Sequence, residues 1–333
     1  MKELIENIDT SKSAEQMIQD MLADYRKARG FDVTEYIKLK GRAINKFFKD
    51  NNLDAAVIGI SGGVDSAVVY KLLRYASLEH DSPIKKIIGV LMPIHCPGTT
   101  GQSDALKRGL KVVELDDVMH YYVDDLTDAC KAYVENVNFQ EPDLDKHADK
   151  WSIGQLASIV RTPNLYFRAA LLQRQGFKSI VVGTTNRDEG SYIGFFGKAS
   201  DAMVDLQPIA DIHKSEVYQV AKALGVHESI INEKPRGDVW DNKVDEEMIG
   251  APYWFLEYYL LWKSQSNNKI DSFKYQEHMN WMSRVLDTEY GKQITEWHDN
   301  IIAIHNKNKH KYQVGNPAHF IDVMERKIPG GWK

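Results

Sequence analysis

The stretch AAVIGISGGVDSAVVYKLL, residues 55–73, decides how this chain is read. Ala55 to Ile60 is short, apolar and uncharged, the make-up of a parallel strand covered on both faces. From Ser66 onward, Val68, Val69, Leu72 and Leu73 recur at helical spacing. Between the two runs sit Ser61-Gly62-Gly63. Glycines let a chain turn sharply and bring its N–H groups close to a ligand. The N-terminus of the helix that follows adds partial positive charge, which makes an anion site. Asp65 suits a phosphate cradle only if a cation stands between its carboxylate and the phosphates. Strand, glycine turn, hydroxyls, carboxylate and helix together read as a nucleotide-phosphate site with Mg²⁺. The duller alternative, a plain glycine bend, leaves Ser61, Asp65 and Ser66 without a purpose.

Two familiar phosphate motifs do not fit. The loop Gly-x-x-x-x-Gly-Lys-Ser/Thr needs a lysine, and none occurs between Asp54 and Lys71. The dinucleotide fingerprint Gly-x-Gly-x-x-Gly fails too, because Gly59, Ser61, Gly62 and Gly63 have the wrong spacing and no further glycine follows into the helix.

Working outward, residues 13–29 and 33–49 read as amphipathic helices broken at Gly30-Phe31-Asp32. After the strand and helix of the opening stretch comes a second apolar strand, KIIGVLMP, from Lys86 to Pro93. A Gly/Thr loop, a short helix from about Ser103 and a strand KVVEL at 111–115 follow. Residues 117–136 and 152–175 suit helices, and KSIVVGT at 178–184 reads as a fourth buried strand. Such alternation predicts an α/β fold, a Rossmann-like doubly wound parallel sheet with helical additions at both ends. Ligands in these sheets bind beyond the carboxyl ends of the strands, so Ser61–Ser66, Pro93–Gly101 and Gly183–Glu189 are expected to meet in one crevice. We expect one domain over 1–333: helices to residue 50, a nucleotide-binding core over 51–245, and a helical region and tail over 246–333.

The whole chain sets limits on function. Its 333 residues are 43% hydrophobic and 27% charged, as in an ordinary globular protein. A net charge of −5 gives no basic field to draw it to nucleic acid. Its two cysteines, Cys96 and Cys130, form no Cys-x-x-Cys pair, which argues against a disulfide framework or zinc site and suits a reducing compartment. With no signal-like start and no apolar run near the roughly 20 residues of a membrane helix, we expect a cytoplasmic protein without a membrane partner.

Ser-Gly-Gly-Val-Asp-Ser after a buried strand resembles the signature of the PP-loop, or N-type ATP pyrophosphatase, enzymes, which cleave ATP between the α and β phosphates. The second half narrows this. VVGTTNRDEGSYIGFFGKASDAMVDLQPIADIHKSEVYQVAKALGV, NLYFR at 164–168, MPIHCPGTTGQSDA, VDEEMIGAPYWFLEYYL and HKYQVGNP resemble, in order, motifs of the NAD synthetase family. The similarity covers roughly residues 35–320.

This resemblance implies adenylation of the deamido-NAD carboxylate by ATP, followed by displacement of AMP by ammonia. Gly59, Ile60, Ser61, Gly62, Gly63, Val64, Asp65, Ser66, Thr184, Lys214 and Arg236 fall on its ATP-binding positions. Asp65 and Glu189 match its magnesium carboxylates, and Asp65 and Lys214 its catalytic groups. Asn164, Arg168, Lys198, Asp201, Asp205, His310 and Lys311 match positions that hold the acceptor across a homodimer interface. The stretches YWFLEYYLLW and YIKLKGRAINKFF suit either that interface or an ordinary core. Helix capping is the plain alternative for Asp65 and Glu189, and a solvated basic face for His310 and Lys311 within HNKNKHKYQV.

The chain also departs from the family pattern. Gly197-Lys198-Ala199-Ser200-Asp201-Ala202 lacks a hydroxyl and two glycines, one extra residue stands between Glu189 and Gly194, and Ala170 replaces a second arginine. Arg236 takes the place of a phosphate-contacting hydroxyl, and the segments 116–158 and 254–309 are long. These changes bear on the acceptor more than on adenylation. Nicotinate mononucleotide or another small carboxylate is therefore the nearest rival substrate. A tRNA-modifying PP-loop enzyme is a rival of a different class, and the negative net charge and isolated cysteines weigh against it. A non-catalytic descendant is a third reading. Only about 60 residues precede the loop and residue 2 is lysine, so we expect no glutaminase and a supply of free ammonia.

Overall fold

The computed structural model describes residues 14–96, 99, 101–137, 150–237, 243–265, 289–312 and 319–326. Two helices come first, α1 (Ala14–Arg29) and α2 (Val33–Asp50), the second opened by Asp32, whose carboxylate accepts the Glu35 N–H. The core then alternates: β1 (Ala55–Gly59), α3 (Val64–Ser77), β2 (Lys86–Leu91), α4 (Gln102–Gly109), β3 (Met119–Val123), α5 (Thr127–Asn136), α6 (Lys150–Arg174) and β4 (Ser179–Val182). Next are α7 (Arg187–Gly190), β5 (Leu206–Gln207), α8 (Lys214–Ala223), α9 (Glu228–Ile231), α10 (Asp245–Ile249), α11 (Tyr253–Gln265) and α12 (Glu289–Asn308). A 3₁₀ turn, Lys309–Tyr312, and β6 (His319–Phe320) complete the described chain.

The strands form one sheet in the order β3-β2-β1-β4-β5-β6, every neighbouring pair parallel. β1 lies at its centre, and its alternation explains the layering. Ala56 and Ile58 pack with Ile44, Phe48, Leu72 and Val217 from α2, α3 and α8, whereas Ala55 and Val57 pack with Ala169 and Leu172 from α6 on the other face. The strand order runs outward from β1 in both directions, so the crevice opens between the carboxyl ends of β1 and β4.

One strand is not where the sequence pattern put it. The run 111–115 forms no ladder, and Met119–Val123 pairs with β2 instead. Val112 is buried under the sheet while Leu115 is 71% exposed. Asp116 then accepts the N–H groups of Val118 and Met119, turning the chain into β3. The helix expected over 117–136 accordingly starts only at Thr127, whose N–H is held by Asp125.

A second apolar layer joins Ile18 and Leu22 of α1, Phe255, Leu256, Tyr259 and Leu260 of α11, and Ile294 and Ile301 of α12. Each fully buried aliphatic side chain here is worth about 1.5–3 kcal/mol. The aromatics of YWFLEYYLLW are thus largely spent inside this chain, and in the α2 stretch Tyr36, Ile37, Ile44 and Phe48 are likewise buried. Cys96 and Cys130 are free and buried, sharing a small cluster with Ile94, Ile153 and Ala157.

A charged hub ties the far edge together. Lys40 and Asp211, neither exposed, pair at 2.9 Å, and Tyr36 donates to the same carboxylate. Asp211 also accepts the N–H groups of Val323 and Met324, and Lys40 donates to the Ile321 carbonyl, which fixes the segment after β6. Among the described residues no helix is long and apolar enough to cross a membrane.

Candidate active site

The loop from Ser61 to Ser66 leaves β1 and enters α3 at the mouth of the crevice. Gly62 has φ +82°, and a Cβ there would lie 2.3 Å from the Ala105 carbonyl of α4, so only glycine fits. The hydroxyls brace the turn. Ser61 Oγ and Ser66 Oγ are 3.0 Å apart, the Gly63 N–H donates to Ser61 Oγ, and Ser66 Oγ donates to the Gly63 carbonyl. Ser66 is buried, while Ser61 faces solvent.

Three strand ends converge on one ammonium. Lys214, first residue of α8, places Nζ 2.6 Å from Asp65 Oδ2 and 3.0 Å from Glu189 Oε1. Asn186, which caps α7, donates to Asp65 Oδ1 at 2.9 Å and so joins the segments after β1 and β4. Burial alone would lower the Lys214 pKa, but Asp65 and Glu189 outweigh it and hold it well above the usual lysine value. Burial raises Glu189, assisted by Asp65 and opposed by Lys214. A third carboxylate, Asp245, is pushed up to about 7 by burial, with Lys214 opposing.

Behind Lys214 lies a buried pair. His213 Nδ1 sits 2.6 Å from Asp188 Oδ1, and the Lys214 N–H donates to Asp188 Oδ2 at 2.7 Å. Burial lowers His213 to about 3 and raises Asp188 to about 7. Burial thus favours a neutral imidazole sharing one hydrogen bond with Asp188. Glu216 accepts the His213 N–H and is gripped by Arg29, so α1 also helps fix the start of α8.

Among the described residues no cluster of three or more His, Cys, Asp and Glu side chains makes a ready metal centre. Asp65 and Glu189 nevertheless fit a divalent cation chemically, because both turn hard carboxylate oxygens toward one shared positive charge.

The other expected residues are more dispersed. Thr184 follows β4 and is partly buried at the crevice. Arg236 pairs with Glu233 at 2.7 Å, and Glu233 lies 3.5 Å from Arg108, which donates to the Gly62 carbonyl. Arg236 is thereby linked to the loop through two intermediates. Asn164 and Arg168 of α6 converge on Asp124, just past β3, and the Arg168 guanidinium lies 4.0 Å over the Tyr122 ring. Asp124 holds its carboxyl below the usual range, as Arg168 and Asn164 outweigh its burial.

Lys198 is exposed on the loop after α7. Asp201 accepts from Gly197 N–H and Ser200 Oγ, closing that loop on itself. Asp205 turns inward, taking the Val181 N–H and the Tyr166 hydroxyl. His310 is exposed, while Lys311 donates to the carbonyls of Gly194 and Phe196. The structure thus unites Asp65, Glu189 and Lys214 and leaves the residues expected on the acceptor side in local pairings of their own.

Sequence reasoning did not single out Asn186, Asp124, Asp188, His213 or Arg108. It quoted the segment containing Asp245 and Tyr253 without giving either a role. The Tyr253 hydroxyl bonds Glu189 Oε1 at 2.9 Å and lies 3.3 Å from Asp245 Oδ2.

A glycine turn at the switch point of a parallel sheet, facing carboxylates and a lysine, defines an α/β protein of nucleotide-binding type. The chain belongs to the NAD synthase family, whose model matches residues 36–313. It is 35% identical over 218 residues to the NH(3)-dependent NAD(+) synthetase of Pyrococcus furiosus, covering 66% of this chain and 75% of that protein. Against the NH(3)-dependent NAD(+) synthetase of Thermoplasma volcanium the identity is 34% over 286 residues, 84% of this chain and 95% of that one. Among solved structures, the fold matches an NMN synthetase from Francisella tularensis with a TM-score of 0.62 at 22% identity, covering 86% of this chain and 98% of that chain. It matches an NH3-dependent NAD synthetase from Campylobacter jejuni with a TM-score of 0.54 at 20% identity, covering 89% and 100%.

Proposed function

We propose that this chain is an ammonia-dependent ligase that converts deamido-NAD to NAD at the expense of ATP. The observation that carries this reading is the single ammonium of Lys214 shared by Asp65 and Glu189 beside the glycine loop. Family membership and the named relatives support the same reaction.

In the first step a carboxylate oxygen of deamido-NAD attacks the α phosphorus of ATP. The bond from that phosphorus to the bridging oxygen breaks, and pyrophosphate leaves. The loop N–H groups, Ser61, Ser66, Thr184 and Lys214 receive the growing negative charge, with Arg236 approaching from the Glu233 side. Mg²⁺ held by Asp65 and Glu189 would supply Lewis-acid stabilisation of the phosphates when bound. In the second step ammonia attacks the acyl carbon, AMP departs, and the nitrogen gives up a proton to leave the amide. Asn164, Arg168, Lys198, Asp201, Asp205, His310 and Lys311 form the acceptor side in this reading. Exposed Tyr122, Phe167 and Met203 around that side support a homodimer.

The test incubates the protein with ATP, Mg²⁺, ammonium and either deamido-NAD or nicotinate mononucleotide, following AMP, pyrophosphate and amide together. Equal yields of AMP and NAD from deamido-NAD are expected, and EDTA should abolish both. Amide formed only from nicotinate mononucleotide would transfer the assignment to that acceptor. Asp65→Asn should cut pyrophosphate release by about 10²–10³-fold. Release at the parent rate would remove the proposed role of that carboxylate.

A further inference from the structure

We propose that Tyr253 is a positioning residue that orients Glu189 toward the divalent cation and steadies Lys214, joining the C-terminal helical layer to the adenylation crevice. This rests on the function proposed above and names a residue that the motif comparison left without a role.

Glu189 lies on α7, a helix of four residues, Arg187–Gly190, too short to fix a carboxylate by itself. Two bonds hold it from outside: Lys214 Nζ at 3.0 Å and the Tyr253 hydroxyl at 2.9 Å. Both fall on Oε1. Among the described residues Oε2 takes no hydrogen bond, so the carboxylate is pinned by one oxygen and presents the other. The Tyr253 ring meanwhile lies under the Lys214 ammonium, 5.0 Å from Nζ to the centroid. One side chain therefore touches both halves of the shared-charge cluster, through hydroxyl and through π face.

Tyr253 is itself well placed to act as a fixed point. It opens α11, its N–H donates to Glu246 Oε1 at 2.8 Å, and its hydroxyl lies 3.3 Å from Asp245 Oδ2. One and two turns on, Leu256 and Leu260 are fully buried against α1 and α12. Tyr253 itself is 8% exposed and belongs to the same apolar cluster, which restricts its ring. A tyrosine used only as filler would not need its hydroxyl aimed at a carboxylate in the crevice.

The test compares Tyr253→Phe, which keeps the ring and removes the hydroxyl, with 4-aminophenylalanine at the same position, which restores a donor. Mn²⁺ is titrated by EPR in the presence of a non-hydrolysable ATP analogue, and Mg²⁺ dependence is measured for pyrophosphate release. The expected result for Tyr253→Phe is about tenfold weaker Mn²⁺ binding and about a tenfold higher Mg²⁺ requirement, the scale of one lost charge-assisted hydrogen bond. The KM for the acceptor should stay unchanged. The amino variant should recover Mn²⁺ binding to within about twofold. Parent-like Mn²⁺ binding in Tyr253→Phe overturns the proposal, as does failure of both variants to fold, which would make the position structural. If the parent turns over no acceptor, the function proposed above falls, whereas the Mn²⁺ titration still decides on Tyr253.

Discussion

At the loop end of the crevice, segments following β1, β4 and β5 deliver Asp65, Glu189 and Lys214 to a single shared charge. At the proposed acceptor end, Arg168 is matched to Asp124, Asp201 closes its own loop, Asp205 serves the Val181 backbone, and Lys311 feeds two carbonyls. The first arrangement is collective, so no member can be removed without stranding charge. The second is a set of local pairings spread over separate loops. Collective placement suits chemistry that is the same in every turnover. Separate pairs suit recognition, which can be retuned one residue at a time.

The sharpest way to break this contrast is Gly62→Ala. The new methyl meets the Ala105 carbonyl at 2.3 Å in a backbone conformation that alanine resists, so the loop must move. Pyrophosphate release should fall by about a thousandfold, read by phosphate-coupled absorbance on protein whose circular dichroism is unchanged. A loss of less than about tenfold would mean that the loop geometry is not limiting.

The dyad behind Lys214 gives a pH test of collective behaviour. Unfolded, Asp188 and His213 titrate near 3.8 and 6.5; folded, near 7 and 3. A histidine with a lowered folded pKa lends stability that is present above 6.5 and is lost as pH falls toward 3. An aspartate with a raised folded pKa lends stability that is present below 3.8 and is lost as pH rises toward 7. In the parent the two slopes nearly cancel. Asp188→Asn should expose the first, with stability dropping by about 1.4 kcal/mol per pH unit below 6.5. His213→Gln should expose the second, with the opposite sign. Urea melts at pH 4.5, 5.5 and 6.5 decide it, and parallel profiles for the two variants would show that the pair does not titrate as a unit.

Smaller effects belong to the proposed acceptor end. Arg168→Ala should raise the KM for the acceptor by about tenfold, the scale of a charge-assisted hydrogen bond, with ATP saturation unchanged. An equal loss in ATP saturation would erase the division between the two ends. Lys198→Ala removes one exposed charge and should change the acceptor KM by no more than about two- to threefold at physiological salt. A larger change at low ionic strength would sharpen its assignment as an electrostatic contact.

The contrast also explains what could be read in advance. The glycine loop, its carboxylate and the buried strand are contiguous in the chain, so local patterning exposes them. The third strand was misplaced because KVVEL and MHYYV are both short apolar runs, and only the Asp116 turn decides which one reaches β2. Asp124 and Asn186 carry no local signal. Their roles exist only once distant segments meet, 44 residues apart for Asp124 with Arg168 and 121 for Asn186 with Asp65.

The short strand β6 has a consequence for how the molecule comes to exist. Glycine loop, carboxylates and lysine are all synthesised before residues 319–326 leave the ribosome. Until then Asp211 has Lys40 and Tyr36 but lacks the Val323 and Met324 amides that complete its surroundings. Vectorial synthesis therefore yields an open-edged sheet, and docking of the last segment, across 281 residues from Lys40 to Ile321, must come late.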